Sequence, residues 1–444
     1  MLSKSQWKLI MPLNFFHIMA HIYPYFLPIL TQTIRDEIPM GYTQTAILAM
    51  VIPLVMIPSV IIFGLIGDRI RHLRFELIII GYVLVISHTF IMYVAQSFGV
   101  LVVAAVVGGF GASVFHPITL PLLSQEFGTK RSIAHGINML FGTIGSILTP
   151  LLAIYLSTII GWRYTSLAFG AFGFAFLPIL LALTVPALGE MHYKPSNDIF
   201  NNDPKSSKED NKKKAKLRNK FIAAIITGPI IALIFTQVIR SGIFRILNIF
   251  TALLFEDKFG ANKLNSAIIM SIVLGAGGVA TLFSGFVSKR RGNLKILLYS
   301  KITTTIITVL LAIFVGIITM RGINVTTGLL AIAIILFILL AVAFYFGNSP
   351  CNSLLAELVP LEVLSTINGI QNSLMACFSS LLILFGKIID IGYSFPYEVI
   401  LIVLFALIPT ILLFYIKSKI GFKTPEEAEE GRETAIMKAN AGSK

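Results

Sequence analysis

Gly64-Leu65-Ile66-Gly67-Asp68-Arg69-Ile70-Arg71-His72-Leu73-Arg74 separates two predominantly apolar runs, 43–67 and 75–95, with one acid, three arginines and a histidine. Each flanking run reaches the ~20 residues that an α-helix needs to cross ~30 Å of hydrocarbon. A short basic loop between two such runs reads as a cytoplasmic connection between membrane spans. Extending the same reading outward gives spans near 10–33, 99–123, 132–158 and 163–187 in the first half. The second half gives 228–255, 265–288, 294–317, 326–350, 363–389 and 397–417. The segment 188–220, rich in Pro, Asn, Ser, Asp and Lys, is a solvated linker carrying nine basic residues.

The composition agrees. Of 444 residues, 56% are hydrophobic and 13% charged, which excludes an ordinary soluble enzyme. The net charge of +14 invites a nucleic-acid reading, but its placement argues otherwise. With the N-terminus inside, 26 of the 35 Lys and Arg residues fall in cytoplasmic segments and six in external loops. Basic charge follows topology, so both termini are expected in the cytoplasm and no nucleic-acid partner is expected. Cys351 and Cys377 lie in apolar runs and define neither a disulfide framework nor a Cys metal site. The first run is too long for a signal-peptide core and is kept as a span.

The halves echo each other. Gly64 to Arg69 after span two corresponds to Gly285-Phe286-Val287-Ser288-Lys289-Arg290 after span eight, and Leu122 to Glu126 corresponds to Leu354 to Glu357. The expected fold is therefore an all-α membrane protein with twelve transmembrane helices in two pseudo-symmetric six-helix bundles. Its expected parts are a bundle over 1–187, the linker 188–220, a bundle over 221–420 and a tail over 421–444.

On these residues the chain resembles the major facilitator superfamily across all twelve spans. The Gly64–Arg74 loop is similar to that superfamily's Gly-x-x-x-Asp-Arg signature. Gly109-Phe110-Gly111-Ala112-Ser113-Val114-Phe115-His116-Pro117, followed by Gly136, Gly142, Gly145 and Pro150, resembles spans four and five of its fosmidomycin-resistance branch. The resemblance implies a secondary transporter working by alternating access, with an anionic metabolite or drug as cargo and a neutral hydrophobic compound as the alternative. Two departures weaken drug–proton exchange: span four carries no Arg, and Thr149-Pro150 stands where antiporters carry Gly-Pro.

Asp68 at a helix end can accept from exposed backbone N–H groups or pair with basic neighbours. With Arg69, Arg71, Glu126, Arg131 and Glu357 it is a candidate gate residue. In the second copy of the loop Lys289 replaces the acid, so the two copies cannot clasp alike.

Ionisable groups inside lipid are costly and mark function by default. His17 and His21 are four apart on span one and share a helical face. They suit a proton carrier near neutral pH, or simple hydrogen bonding between helices. Two His at this spacing can also chelate a transition metal. No third ligand is evident in sequence, however, so neither a metal nor any other cofactor is expected. Arg240 and Arg245 on span seven point about 140° apart. Arg240 is taken as the substrate-facing one, suited to carboxylate, phosphate or phosphonate, or else as an ion pair fixing helix packing. Lys301 is expected to snorkel to a span end. The candidate substrate-binding set is His17, His21, His116, Arg240, Asn248 and Asn348, in a midplane cavity bounded by spans one, four, seven and ten.

The expected partners are a small-molecule substrate, a coupling proton and the lipid bilayer, with the chain acting as a monomer in the cell membrane. The rival classes are a non-transporting receptor that kept the fold and a polytopic membrane enzyme. No loop supplies the clustered acidic ligands or nucleophile–base pair that an enzyme would need. A Gly-x-x-x-x-Gly-Lys-Ser/Thr phosphate loop is absent as well, which argues against ATP drive.

Overall fold

The computed structural model of the chain describes residues 2–190, 227–257, 259–261, 263–383, 395–424, 426–427 and 430. Its elements are helices, and no strand occurs among the described residues. The first four are α1 (Lys4–Arg35), α2 (Tyr42–Arg69), α3 (Arg74–Val94) and α4 (Phe98–Phe127). The helical run Arg131–Glu190 is broken at Gly161, whose φ of 77° lies outside the helical region and suits a residue without Cβ. It forms two helices, α5 over 131–160 and α6 over 162–190. Next come α7 (Gly228–Asp257), α8 (Lys263–Arg291), α9 (Asn293–Met320), α10 (Thr327–Tyr345) and α11 (Asn348–Leu358). The last two are α12 (Leu364–Ile383) and α13 (Phe395–Ile420).

Each of the twelve expected apolar runs is met by helix. The tenth differs from expectation: it is helical to Leu358 and is interrupted at Phe346 and Gly347, which divide α10 from α11. The far part of the eleventh, and nearly all of the linker, lie outside the described residues.

Two compact units emerge. Unit 1 draws on Met1–Arg131, Leu148–Ile231 and Leu355–Ser373, and unit 2 on Ser132–Ile147, Ala232–Leu354 and Leu374–Lys444. In unit 1 the Tyr23 hydroxyl donates to the Phe169 carbonyl at 2.9 Å and the Tyr82 hydroxyl to that of Gly173 at 3.0 Å. These bonds fasten α1 and α3 to α6. The Arg163 guanidinium joins three connections: Nε donates to Glu37 at 2.8 Å, while Nη1 donates to the carbonyls of Tyr93 and Ala95. Its guanidinium carbon also lies 4.4 Å from the ring centre of buried Trp162. The core of unit 2 gathers Phe255 of α7, Leu311 and Val315 of α9, and Phe337 and Phe344 of α10.

The echo between Gly64 and Gly285 has a structural counterpart in each unit. A Cβ on Gly64 would meet the backbone of Ser365, which opens α12, and one on Gly285 would meet the backbone of Ser132, which opens α5. At both places two helices approach too closely for any side chain.

Candidate functional site

Three polar groupings stand out, two in unit 1 and one in unit 2. The first lies at the end of α2. Asp68 is buried, and both its oxygens are used: the Ser365 N–H donates to Oδ1 at 3.1 Å, and the Thr366 N–H and hydroxyl donate to Oδ2 at 2.8 and 2.6 Å. The first N–H groups of a helix have no partner within it, and the partial positive charge there favours an anion. Asp68 thus caps α12 from nearly 300 residues away. Fully buried Arg74 completes the arrangement, donating to the Gly67 carbonyl at 3.2 Å, to Gln125 at 3.3 Å and to the Ser365 hydroxyl at 3.3 Å. It also pairs with Asp68 at 3.7 Å.

The other expected gate residues divide. Arg71 donates to the Asp68 carbonyl at 3.3 Å, and Arg131, buried, donates to the carbonyls of Gly128 at 2.8 Å and Ala356 at 3.2 Å. Arg69 is exposed, while Glu126 and Glu357 are half-buried.

The second grouping joins α1 and α4. His17 Nε2 and His21 Nε2 are 3.2 Å apart, and the His116 ring centre lies 5.3 Å from that of His17 and 5.6 Å from that of His21. The Phe115 ring stands 4.7 Å from His17. Asn368 of α12 donates to the His116 carbonyl at 2.8 Å. With two Nε2 atoms in contact, one ring donates and the other accepts, and the tautomers set which. All three expected histidines are brought together, including the one that sequence could not tie to the other two.

The third grouping lies in unit 2. Arg240 of α7 donates to Gln237 at 3.1 Å and to the side-chain oxygen of Asn348. The Asn348 amide donates in turn to Thr281 at 3.4 Å, and the Thr281 hydroxyl also reaches the Tyr345 carbonyl at 3.1 Å. The guanidinium lies 4.8 Å from the centre of the Phe344 ring, and the Lys301 ammonium lies 5.0 Å from the same ring. Lys301 is 3% exposed, so the expectation that it snorkels is wrong: it points inward beside Gly347, on the buried polar face of α9 that carries Ser300, Thr304, Thr305 and Thr308. Among the described residues neither cation has a carboxylate partner. The Arg240 Nε donor is buried and unbonded. The side chains of Arg245 and Asn248, the latter an expected substrate contact, lie outside the described residues.

The model of the Major Facilitator Superfamily matches residues 10–384. The chain belongs to the Major Facilitator Superfamily. It is therefore a multi-pass membrane protein of a transporter family, not an enzyme. Among superfamily members it is similar to the fosmidomycin resistance protein of Escherichia coli (strain K12), with 27% identity over 214 residues, 48% of this chain and 49% of that protein. The chain thus matches about half the length of this curated relative. Two solved structures share the superfamily fold. One is the proton:xylose symporter XylE bound to 6-bromo-6-deoxy-D-glucose, with TM-score 0.67, 12% identity, and 96% of this chain and 98% of that chain covered. The other is a bacterial homologue of the iron transporter ferroportin in an outward-facing state, with TM-score 0.69, 13% identity, and 94% and 100% covered.

Sequence reasoning missed Lys301, Gln237, Phe344 and Arg74 as members of these groupings. A signal for Lys301 was present. Ser300, Lys301, Thr304, Thr305 and Thr308 repeat at helical spacing within an apolar run, which marks a polar face rather than a snorkelling end.

Proposed function

We propose that this superfamily member is a secondary transporter that carries a small organic anion across the cell membrane by alternating access. The observation behind the cargo class is the pair Arg240 and Lys301 over one Phe344 ring, with no carboxylate partner among the described residues and one Arg240 donor open. Burying two cations without counter-charge is costly. An incoming carboxylate, phosphate or phosphonate would relieve that cost through charge-assisted hydrogen bonds. The relative named for fosmidomycin resistance supports export as the direction. The His17–His21 contact supports exchange against protons, because an imidazole nitrogen can take up and release a proton within a span that holds no carboxylate.

The remaining assignments follow the same reading. Asp68 and Arg131 fasten 355–373 within unit 1, Arg71 bonds the Asp68 carbonyl, and the three serve as the gate that must open during the cycle, with Arg69, Glu126 and Glu357 bordering it. Both termini are cytoplasmic, as the distribution of basic residues supports. The chain is a duplication of six-helix bundles, 1–187 and 221–420, supported by the matched approaches of Gly64 and Gly285, and acts as a monomer.

Purified protein in liposomes, supplied with a series of organic acids, phosphonates and neutral solutes under an imposed pH gradient, tests the reading. Anions alone should move, and the double variant Arg240→Gln, Lys301→Met should lose that flux while remaining folded. Flux of neutral solutes at equal rate, or anion flux intact in the double variant, would overturn the cargo class. No flux of any solute would favour the receptor.

A further inference from the structure

We propose that His17, His21 and His116 form a binding site for one divalent transition-metal ion of the zinc or cobalt kind, held within unit 1 and independent of the anion reading. The ligand nitrogens of the three rings all lie within 4.8 Å of one another, on two helices that hold the rings in place. Zn–N bonds of 2.0–2.1 Å in a tetrahedron set neighbouring nitrogens about 3.3 Å apart. His17 and His21 already stand at 3.2 Å, and the widest gap closes with about 1.5 Å of ring movement by His116.

The chemistry of the donors selects the ion. Calcium and magnesium require oxygen ligands, and none of the three side chains offers oxygen. Neutral imidazole suits zinc, cobalt, nickel and copper(II). Half of 3.2 Å is shorter than a Zn–N bond, so the ion sits to one side of the line between the two nitrogens and replaces their hydrogen bond, the proton between them leaving to water or to the donor ring's Nδ1 as each Nε2 turns a lone pair to the metal. Phe115 walls one side at 4.7 Å, and Pro117 and the Asn368 bond to the His116 carbonyl fix the local path of α4. Three neutral ligands leave the ion's double charge uncompensated and its fourth position open. That position therefore takes water, hydroxide or an anionic oxygen.

The test uses the full chain, purified in detergent without an oligohistidine tag, and Co2+ as probe. Tetrahedral Co2+ absorbs strongly in the visible, so the expected result is one equivalent of bound ion giving such bands, displaced by equimolar Zn2+. His116→Gln should lower Zn2+ affinity more than about 100-fold, beyond the loss produced by an outer-shell partner. His72→Gln, at an exposed position, should leave affinity unchanged. Should His116→Gln fail to fold, His21→Gln carries the test, because His21 is only part-buried. It should weaken binding equally while the metal-free melting temperature stays near wild type. Absent Co2+ bands in the wild-type protein, or bands that survive His116→Gln and His21→Gln, would overturn the site.

Discussion

The two units keep their buried polar groups in different electrical states. Unit 1 answers its one clasping acid completely: Asp68 receives two backbone N–H groups, a hydroxyl and the Arg74 guanidinium, and two of its histidines, His17 and His21, meet each other. Unit 2 leaves two basic side chains facing one aromatic ring, with no carboxylate partner among the described residues. At the matching helix approach, that of Gly285 on Ser132, it uses neutral groups instead. There the Ser132 hydroxyl donates to Asn293 at 2.8 Å, and Ser349 donates to the Ser132 carbonyl. A satisfied charge holds structure, while an unsatisfied one awaits a partner. The same helix approach thus carries a charged clasp in one unit and an uncharged one in the other, as Lys289 in place of the acid required.

Four substitutions can break or sharpen this contrast. The largest effect is expected from Lys301→Met, which removes a buried cation and should reduce anion flux in liposomes by about 100-fold, the scale of losing a buried charged contact. Full activity would mean that unit 2 needs only Arg240. Next is Asp68→Ala, which leaves the first turn of α12 without its acceptor and Arg74 without its acid. Amide exchange at Ser365 and Thr366 should speed up by an amount corresponding to about 2 kcal/mol. Protection equal to wild type would refute the charged clasp. His17→Gln should erase the roughly tenfold cargo accumulation that a one-unit pH gradient drives through a single coupled proton; retained accumulation would take the proton role from unit 1. The smallest is Ser132→Ala, expected to cost about 1 kcal/mol of stability by thermal unfolding, the worth of one neutral hydrogen bond. An equal or greater loss than with Asp68→Ala would erase the distinction between the clasps.

Much of the fold was legible because bilayer thickness imposes one length on every span, and the alternation of apolar runs with basic loops records it directly. Even the break at Gly161 falls between the expected runs 132–158 and 163–187. The interruption at Phe346 and Gly347 had a signal in Gly347-Asn348-Ser349-Pro350, a cluster of turn formers, which a reading by apolar run length passes over. The site was readable only in pieces. His17 and His21 declare themselves by a four-residue spacing, but His116 joins them through the packing of α4 on α1, which no local pattern encodes. Asp68 could be recognised as an acid seeking donors. Its donors at Ser365 and Thr366 are set by a close approach that depends on Gly64, far away in sequence. Lys301 was misjudged because proximity to a span end outweighed the polar face on which it sits.

Arg163 has a consequence for motion. One guanidinium ties the turn after α1, the end of α3 and the start of α6, so tension on any of these strands of chain is passed at once to the others. That rim of unit 1 is a knot, and bending during a transport cycle must fall on helices away from it.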